Sequence, residues 1–225
     1  LDKDGTLVND VPYNVDPELI TLSPNAAAGL RLFSQLGYLL LVVSNQSGVA
    51  HGHFRESALD RVWQRLDQLL AQEGIQIDGY YYCPHHPAGA VGKYARACDC
   101  RKPQPGMLLQ AAAEHGVNLA ASWMIGDILH DMEAGKRAGC KTMLIDNGNE
   151  TEWELSPLRM PNLMAVDLYA AAQQVAAAQS KAPHALVRQA PKPQPANWQS
   201  PSLHPSSMQS IALQQVRSSF ISEAP

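Results

Sequence analysis

The chain has 225 residues, with 17 Lys and Arg against 21 Asp and Glu and a formal net charge of −4. That balance supplies no basic surface for nucleic acid, and the longest apolar runs, such as residues 39–43, are far too short to span a membrane. The length suits one large domain, or one domain and a tail, and with no export signal visible a soluble, cytoplasmic monomer is expected.

The chain opens Asp2-Lys3-Asp4-Gly5-Thr6. If Leu1 ends a strand, positions 2 and 4 lie on one side of it. Both carboxylates then face one point, where they repel unless a cation or a proton separates them. Mg²⁺ is usually held by one or two carboxylates together with a substrate phosphate. Gly5 lets the chain turn at once. A surface Asx turn is the alternative for D-x-D taken alone. A side chain working from a strand tip at position 2 also needs apolar strand ahead of it, so several apolar residues before Leu1 are expected.

Residues 25–36 carry Ala and Leu on one face and read as a helix. Residues 38–43 form an apolar run that reads as a buried strand. Behind it comes Ser44-Asn45-Gln46-Ser47-Gly48, where a hydroxyl, amides and free N–H groups suit a phosphate oxyanion. A second helix is expected over 56–72, from the spacing of Leu59, Val62, Trp63, Leu66, Leu69 and Leu70.

Cys83 and His85, then Cys98 and Cys100, give C-x-H and C-x-C twelve residues apart. Three thiolates and an imidazole make a closed tetrahedral zinc site, which is structural because no ligand position stays open. The alternatives are a disulfide from Cys83 to Cys98 or Cys100, and His86 in place of His85. Cys140 reads as a buried thiol. Arg101 and Lys102 follow the last thiol directly, before a helix over 107–115. Arg offers a bidentate fork and Lys a point charge to a phosphoryl group. Metal binding would order this short loop and fix both cations in place.

A strand over 122–125 ends at Gly126-Asp127, and Asp131 lies one helical turn further on, in a helix expected over 131–138. Asp127 would complete a cation shell begun by Asp2. Asp131 reads either as a partner behind that shell or as a helix N-terminal carboxylate favoured by the dipole. A further strand, 141–145, ends at Asp146-Asn147-Gly148. From about residue 180 the character changes, with seven of the sixteen prolines from Pro183 onward among Ser, Gln and Ala. The working domain is therefore expected over 1–175, and a disordered tail over 180–225 with a short amphipathic piece at 211–216. Strands alternating with helices point to a parallel sheet with its site beyond the C-terminal strand ends.

Taken in order, Asp2 and Asp4, Ser44, Lys102 and Asp127 resemble the motifs of the haloacid-dehalogenase (HAD) superfamily of phosphatases, over roughly residues 1–150. The resemblance implies an α/β fold, a Rossmann-like parallel sheet with helices on both faces and a small zinc-bound loop insertion. It implies Mg²⁺-dependent hydrolysis in which Asp2 is the nucleophile and Asp4 the acid and base. Mg²⁺ would be held by Asp2, the backbone carbonyl of Asp4 and Asp127, with Ser44, Arg101 and Lys102 on the phosphoryl group and Asn45, Gln46 and Ser47 lining the substrate site.

The run from Tyr80 through Cys83-Pro84-His85-His86-Pro87 to Cys98-Asp99-Cys100-Arg101-Lys102-Pro103 is similar to the zinc-carrying branch that acts on D-glycero-D-manno-heptose 1,7-bisphosphate at C7, in lipopolysaccharide synthesis. That branch implies that Asp10, Tyr13 and Arg101 contact the sugar bisphosphate. Histidinol-phosphate relatives carry a shorter segment between the ligand pairs, so the length of 88–97 favours the heptose branch. Ile128 and His51 stand where Lys and Arg are usual there, which removes positive charge and leaves another small phosphomonoester as the alternative. A zinc-stabilised binding module without turnover is the reading of a different class.

Overall fold

The computed structural model describes residues 1–181. The tail reading for 182–225, including 211–216, lies outside the described residues. Along the chain come helix α1 (Ala26–Gln35), strand β1 (Leu41–Asn45), the short helix α2 (Gly48–His51), α3 (Leu59–Gln72), β2 (Gly79–Cys83), α4 (Gly106–His115), β3 (Trp123–Gly126), α5 (Leu129–Ala138), β4 (Lys141–Ile145), β5 (Leu163–Ala165) and α6 (Leu168–Lys181).

Among the described residues the pairings between these strands are all parallel: β1 with β2, β3 with β4, and β4 with β5. The first two residues join the two groups. Leu1 N donates to Leu41 O at 2.7 Å and Val43 N to Leu1 O at 2.8 Å, the slanted pattern of a parallel ladder. On the other side Asp2 N donates to Ile125 O at 2.8 Å. The order is thus β2, β1, the Leu1 and Asp2 segment, β3, β4, β5. All C-terminal strand ends share one edge, and Asp2 sits at its middle.

Side-chain alternation along buried strands feeds two cores. Val42 and Ile125 face the core built with Leu30 and Phe33 of α1, Leu66 of α3 and Leu168 and Ala172 of α6. Val43 and Met124 face the other, with Met107 and Ala111 of α4 and Ala138 of α5. Helices therefore cover both faces, as the alternation of elements implied. In α3 the residues Leu59, Val62, Trp63, Leu66 and Leu70 bury one stripe, the spacing that identified this helix.

Four elements differ from expectation. The strand expected at 38–43 runs Leu41–Asn45 instead. Tyr38 still belongs to the turn leaving α1, its N–H on Phe33 O at 3.1 Å and its ring edge-on to Phe33. Ser44 and Asn45 stay in the strand because the ladder continues to Tyr82 and Cys83 of β2. Polarity at those positions does not end a strand while backbone pairing persists. The β2 strand itself, and β5 with α6, had no counterpart among the expected elements. Helix α6 packs Leu168, Ala171, Ala172 and Val175 into the core and continues past residue 175 to Lys181. None of the described helices is long and apolar enough to cross a membrane.

Candidate active site and metal centre

At the middle of the C-terminal edge, Lys102 reaches in from the loop behind the thiol cluster. Its Nζ lies 2.6 Å from Asp2 Oδ1, 2.6 Å from Asp131 Oδ1 and 3.2 Å from Val43 O. All three charged side chains are buried, with Asp131 fully so. Burial works against the charge of Lys102, but Asp131 and then Asp2 outweigh it and hold its pKa above the ordinary lysine value. For Asp2 burial dominates and pushes the carboxyl well above the usual range; Lys102 pulls it down, while Asp131, Asp127 and Asp4 add to the rise.

Asp127 stands just past β3. Thr6 Oγ1 donates to its Oδ1 at 3.1 Å and Asn149 Nδ2 to its Oδ2 at 2.8 Å. Burial, then Asp131, pushes its carboxyl up to about 6. Gly5, at φ +76°, passes so close that a Cβ there would lie 2.0 Å from Asp127 Oδ2. Gly126 is bare for a similar reason: a Cβ would lie 2.1 Å from Asp131 Oδ2. Oxygens of Asp2, Asp127 and Asp131 all lie within 4.8 Å of one another. Three buried carboxylates against one lysine leave negative charge in excess, and two of them have raised pKa values. That donor set fits a hard divalent cation.

Asp4 is placed differently from the alternation argument. Gly5 turns the chain immediately, and the Asp4 side chain swings to Lys3 Nζ at 2.5 Å and Gln46 Nε2 at 3.0 Å, with Ser44 Oγ at 3.4 Å. Its carboxylate is thus beside the Asp2 group, and the third carboxylate of the cluster is Asp131. Gln46 also donates to Ser44 Oγ at 2.8 Å. Asn45 accepts from Lys102 N at 3.0 Å and donates to Lys102 O at 3.1 Å, so both ends of its amide clamp the lysine backbone. Ser47, half-buried, stands at the start of α2.

The thiol cluster closes as its spacing implied. Sγ atoms of Cys83, Cys98 and Cys100 lie 3.1 to 3.5 Å apart, and His85 Nδ1 is 3.3 Å from Cys100 Sγ and 3.7 Å from Cys83 Sγ. All are free thiols, so the disulfide alternative does not hold. The ring presented is that of His85, and its Nδ1 faces the sulfurs. The hydrogen bond to Cys83, then burial, pushes Cys100 up; burial, then Cys100, raises Cys98. Three thiolates would not coexist here without a cation, and the S₃N donor set fits zinc. Arg101 Nη1 reaches His85 O at 3.4 Å, which ties that guanidinium to the cluster.

Asp10 and Tyr13 are exposed, on the loop that follows the first turn. Burial, then Asp4, raises the Asp10 carboxyl. The Tyr13 ring stands 4.2 Å from that of His53, and the His51 ring 4.6 Å from that of His86. This imidazole rim was not anticipated beyond His51. Nor were Thr6, Asn147, Asn149 and Glu150, whose sequence context reads as turn and whose contacts span more than a hundred residues in the first case.

Residues 99–171 match a family model described as HAD-hydrolase-like. The D-glycero-beta-D-manno-heptose-1,7-bisphosphate 7-phosphatase of Salmonella typhi is 38% identical over 167 residues, covering 70% of this chain and 89% of the relative. That of Pasteurella multocida is 44% identical over 149 residues, covering 66% of this chain and 80% of the relative. The chain belongs to the HAD phosphatases. Among solved structures, the D,D-heptose 1,7-bisphosphate phosphatase from B. bronchiseptica, complexed with magnesium and phosphate, gives a TM-score of 0.65 at 28% identity, over 79% of this chain and 96% of that one. The HAD fold thus accounts for the parallel order with Asp2 at its centre.

Proposed function

We propose that this HAD phosphatase hydrolyses D-glycero-D-manno-heptose 1,7-bisphosphate at C7 through an aspartyl-phosphate on Asp2. The observation that carries the reading is the buried Asp2 carboxylate, engaged at Oδ1 by Lys102 at 2.6 Å on the C-terminal edge of the sheet. The names of the relatives that are 38% and 44% identical support the choice of substrate.

An Asp2 oxygen attacks phosphorus, and the bond from phosphorus to the sugar oxygen breaks. Asp4, beside Ser44 and Gln46, gives its proton to the departing alkoxide and then takes one from the water that attacks the acyl phosphate, releasing phosphate and restoring Asp2. Lys102 and Ser44 hold the phosphoryl oxygens, and Arg101, Asp10 and Tyr13 contact the sugar bisphosphate. Asn45 acts through the Lys102 backbone, and Gln46 through Asp4 and Ser44. A Mg²⁺ held by Asp2, Asp127 and the Asp4 carbonyl would offset the negative charge of the phosphoryl group. Zinc on Cys83, His85, Cys98 and Cys100 would be structural and would fix the segment that carries Arg101 and Lys102. The working state is a soluble cytoplasmic monomer.

Cys98→Ala is expected to release the zinc and lower kcat/KM by roughly tenfold or more, because Lys102 loses its anchor. Metal content and phosphate release on the same sample check this, and retention of both by the variant would end the structural-zinc reading.

The rim of His51, His53 and His86 favours a second reading, a singly phosphorylated substrate such as histidinol phosphate, because imidazoles bind a second phosphate less well than the fixed charge and fork of arginine. Phosphate release from the heptose bisphosphate and from histidinol phosphate, both with Mg²⁺, separates the two. A kcat/KM higher by about tenfold for the heptose ester, about 1.4 kcal/mol in transition-state binding, is expected. The reverse ratio would move the enzyme to the other branch.

A further inference from the structure

We infer that Asn149 is a positioning residue for the divalent cation, setting Mg²⁺ affinity by fixing the rotamer of Asp127. The inference rests on the reading of Asp127 as a cation ligand. The Asp127 carboxylate is pinned from both sides, by Thr6 Oγ1 at 3.1 Å on Oδ1 and Asn149 Nδ2 at 2.8 Å on Oδ2. One hydrogen bond on each oxygen leaves each a lone pair, and fixes the plane in which those lone pairs meet Asp2 and Asp131. Asn149 is a neutral donor, so it orients the carboxylate without contributing a compensating charge.

The loop after β4 is built to hold that amide in place. Asn147 Nδ2 donates to Gly5 O at 2.6 Å, and Asn147 Oδ1 accepts from Asn149 N at 3.2 Å. Glu150 Oε2 accepts from Leu129 N at 2.7 Å, capping the helix that carries Asp131, where Ile128 has no side-chain acceptor to offer. Further along, Arg159 Nε binds Glu133 of that same helix at 2.8 Å. The close approach over Gly5 explains the fit: a Cβ there would lie 2.4 Å from Asn149 Nδ2 as well as 2.0 Å from Asp127 Oδ2. Loop amide, carboxylate and backbone therefore meet with no space for a side chain at position 5.

Outer partners of this kind typically change metal affinity by about 10- to 100-fold when removed. Asn149→Ala is accordingly expected to raise the Mg²⁺ dissociation constant by that factor, measured calorimetrically on the full chain without substrate. The kcat at saturating Mg²⁺ should stay near wild type, and so should the melting temperature without Mg²⁺. Wild-type Mg²⁺ affinity in Asn149→Ala would overturn the inference. So would loss of the metal-free fold, which would make Asn149 a structural residue. Asp127→Asn, measured alongside, is expected to abolish Mg²⁺ binding. If it binds Mg²⁺ normally, Asp127 is not a ligand and the underlying reading fails; if it alone loses binding, only the role of Asn149 falls.

Discussion

Asp2→Asn is expected to lower kcat by on the order of 10⁵- to 10⁶-fold, the scale on which removing a covalent nucleophile acts. The amide keeps the shape of the side chain but has no anionic oxygen to attack phosphorus. The fold should not suffer. Burial raises the Asp2 pKa in the folded state, so ionising the carboxyl at neutral pH works against folding. For a carboxyl with a raised folded-state pKa, stability falls as pH rises above the unfolded value. Without Mg²⁺, Asp2→Asn should therefore be at least as stable as wild type, and its advantage should grow as pH rises above the ordinary carboxylate value. Lys102 keeps Asp131 at 2.6 Å in the variant, so no buried cation is orphaned. Phosphate-release kinetics with urea midpoints at several pH values check both halves. Loss of stability together with activity would show that Asp2 is a structural residue.

Lys102→Met has the opposite signature, because it harms fold and chemistry together. Methionine fills similar volume but leaves Asp2 and Asp131 buried around a vanished charge. Removing one partner of a buried ion pair typically destabilises by about 3–5 kcal/mol. With Lys102 only 3% exposed, little solvent screening is available to soften that loss. Adding Asp131→Asn in the same chain should restore part of the stability, since it removes one stranded carboxylate, but none of the activity. Urea denaturation of the wild type, both single variants and the double variant measures the coupling. A loss below about 1 kcal/mol in Lys102→Met would mean that the three groups act as an exposed pair does.

The parts of the site that were legible in the sequence are those whose geometry is local or periodic. Asp127 follows an apolar strand directly, and Cys83, His85, Cys98 and Cys100 carry their own spacing, so strand tips and the thiol cluster were readable. The placement of Asp2 was readable too, although the bonds that prove it, to Leu41, Val43 and Ile125, come from distant strands. The orientation of Asp4 was not. Period-two alternation holds only within a strand, and Asp4 sits instead at an isolated bridge to Val8, where its carboxylate meets Lys3 Nζ, Gln46 Nε2 and Ser44 Oγ. Asn147, Asn149 and Glu150 sit in a run that looks like an ordinary turn; their roles come from Gly5, Asp127 and Leu129, which spacing does not reveal. The Tyr80-Tyr81-Tyr82 strand was hidden because its hydroxyls find Asp67, Glu114 and Glu56 on both faces, which erases the polar alternation.

The claim that Asp2 carries the phosphoryl group is tested most directly by acid-quenching the enzyme during turnover of a phosphate-labelled substrate and mapping the label by mass spectrometry. A hydroxylamine-labile phosphoryl group on Asp2, absent from Asp2→Asn, is the expected result. Normal turnover with no label at Asp2, or with the label on another residue, would contradict the account.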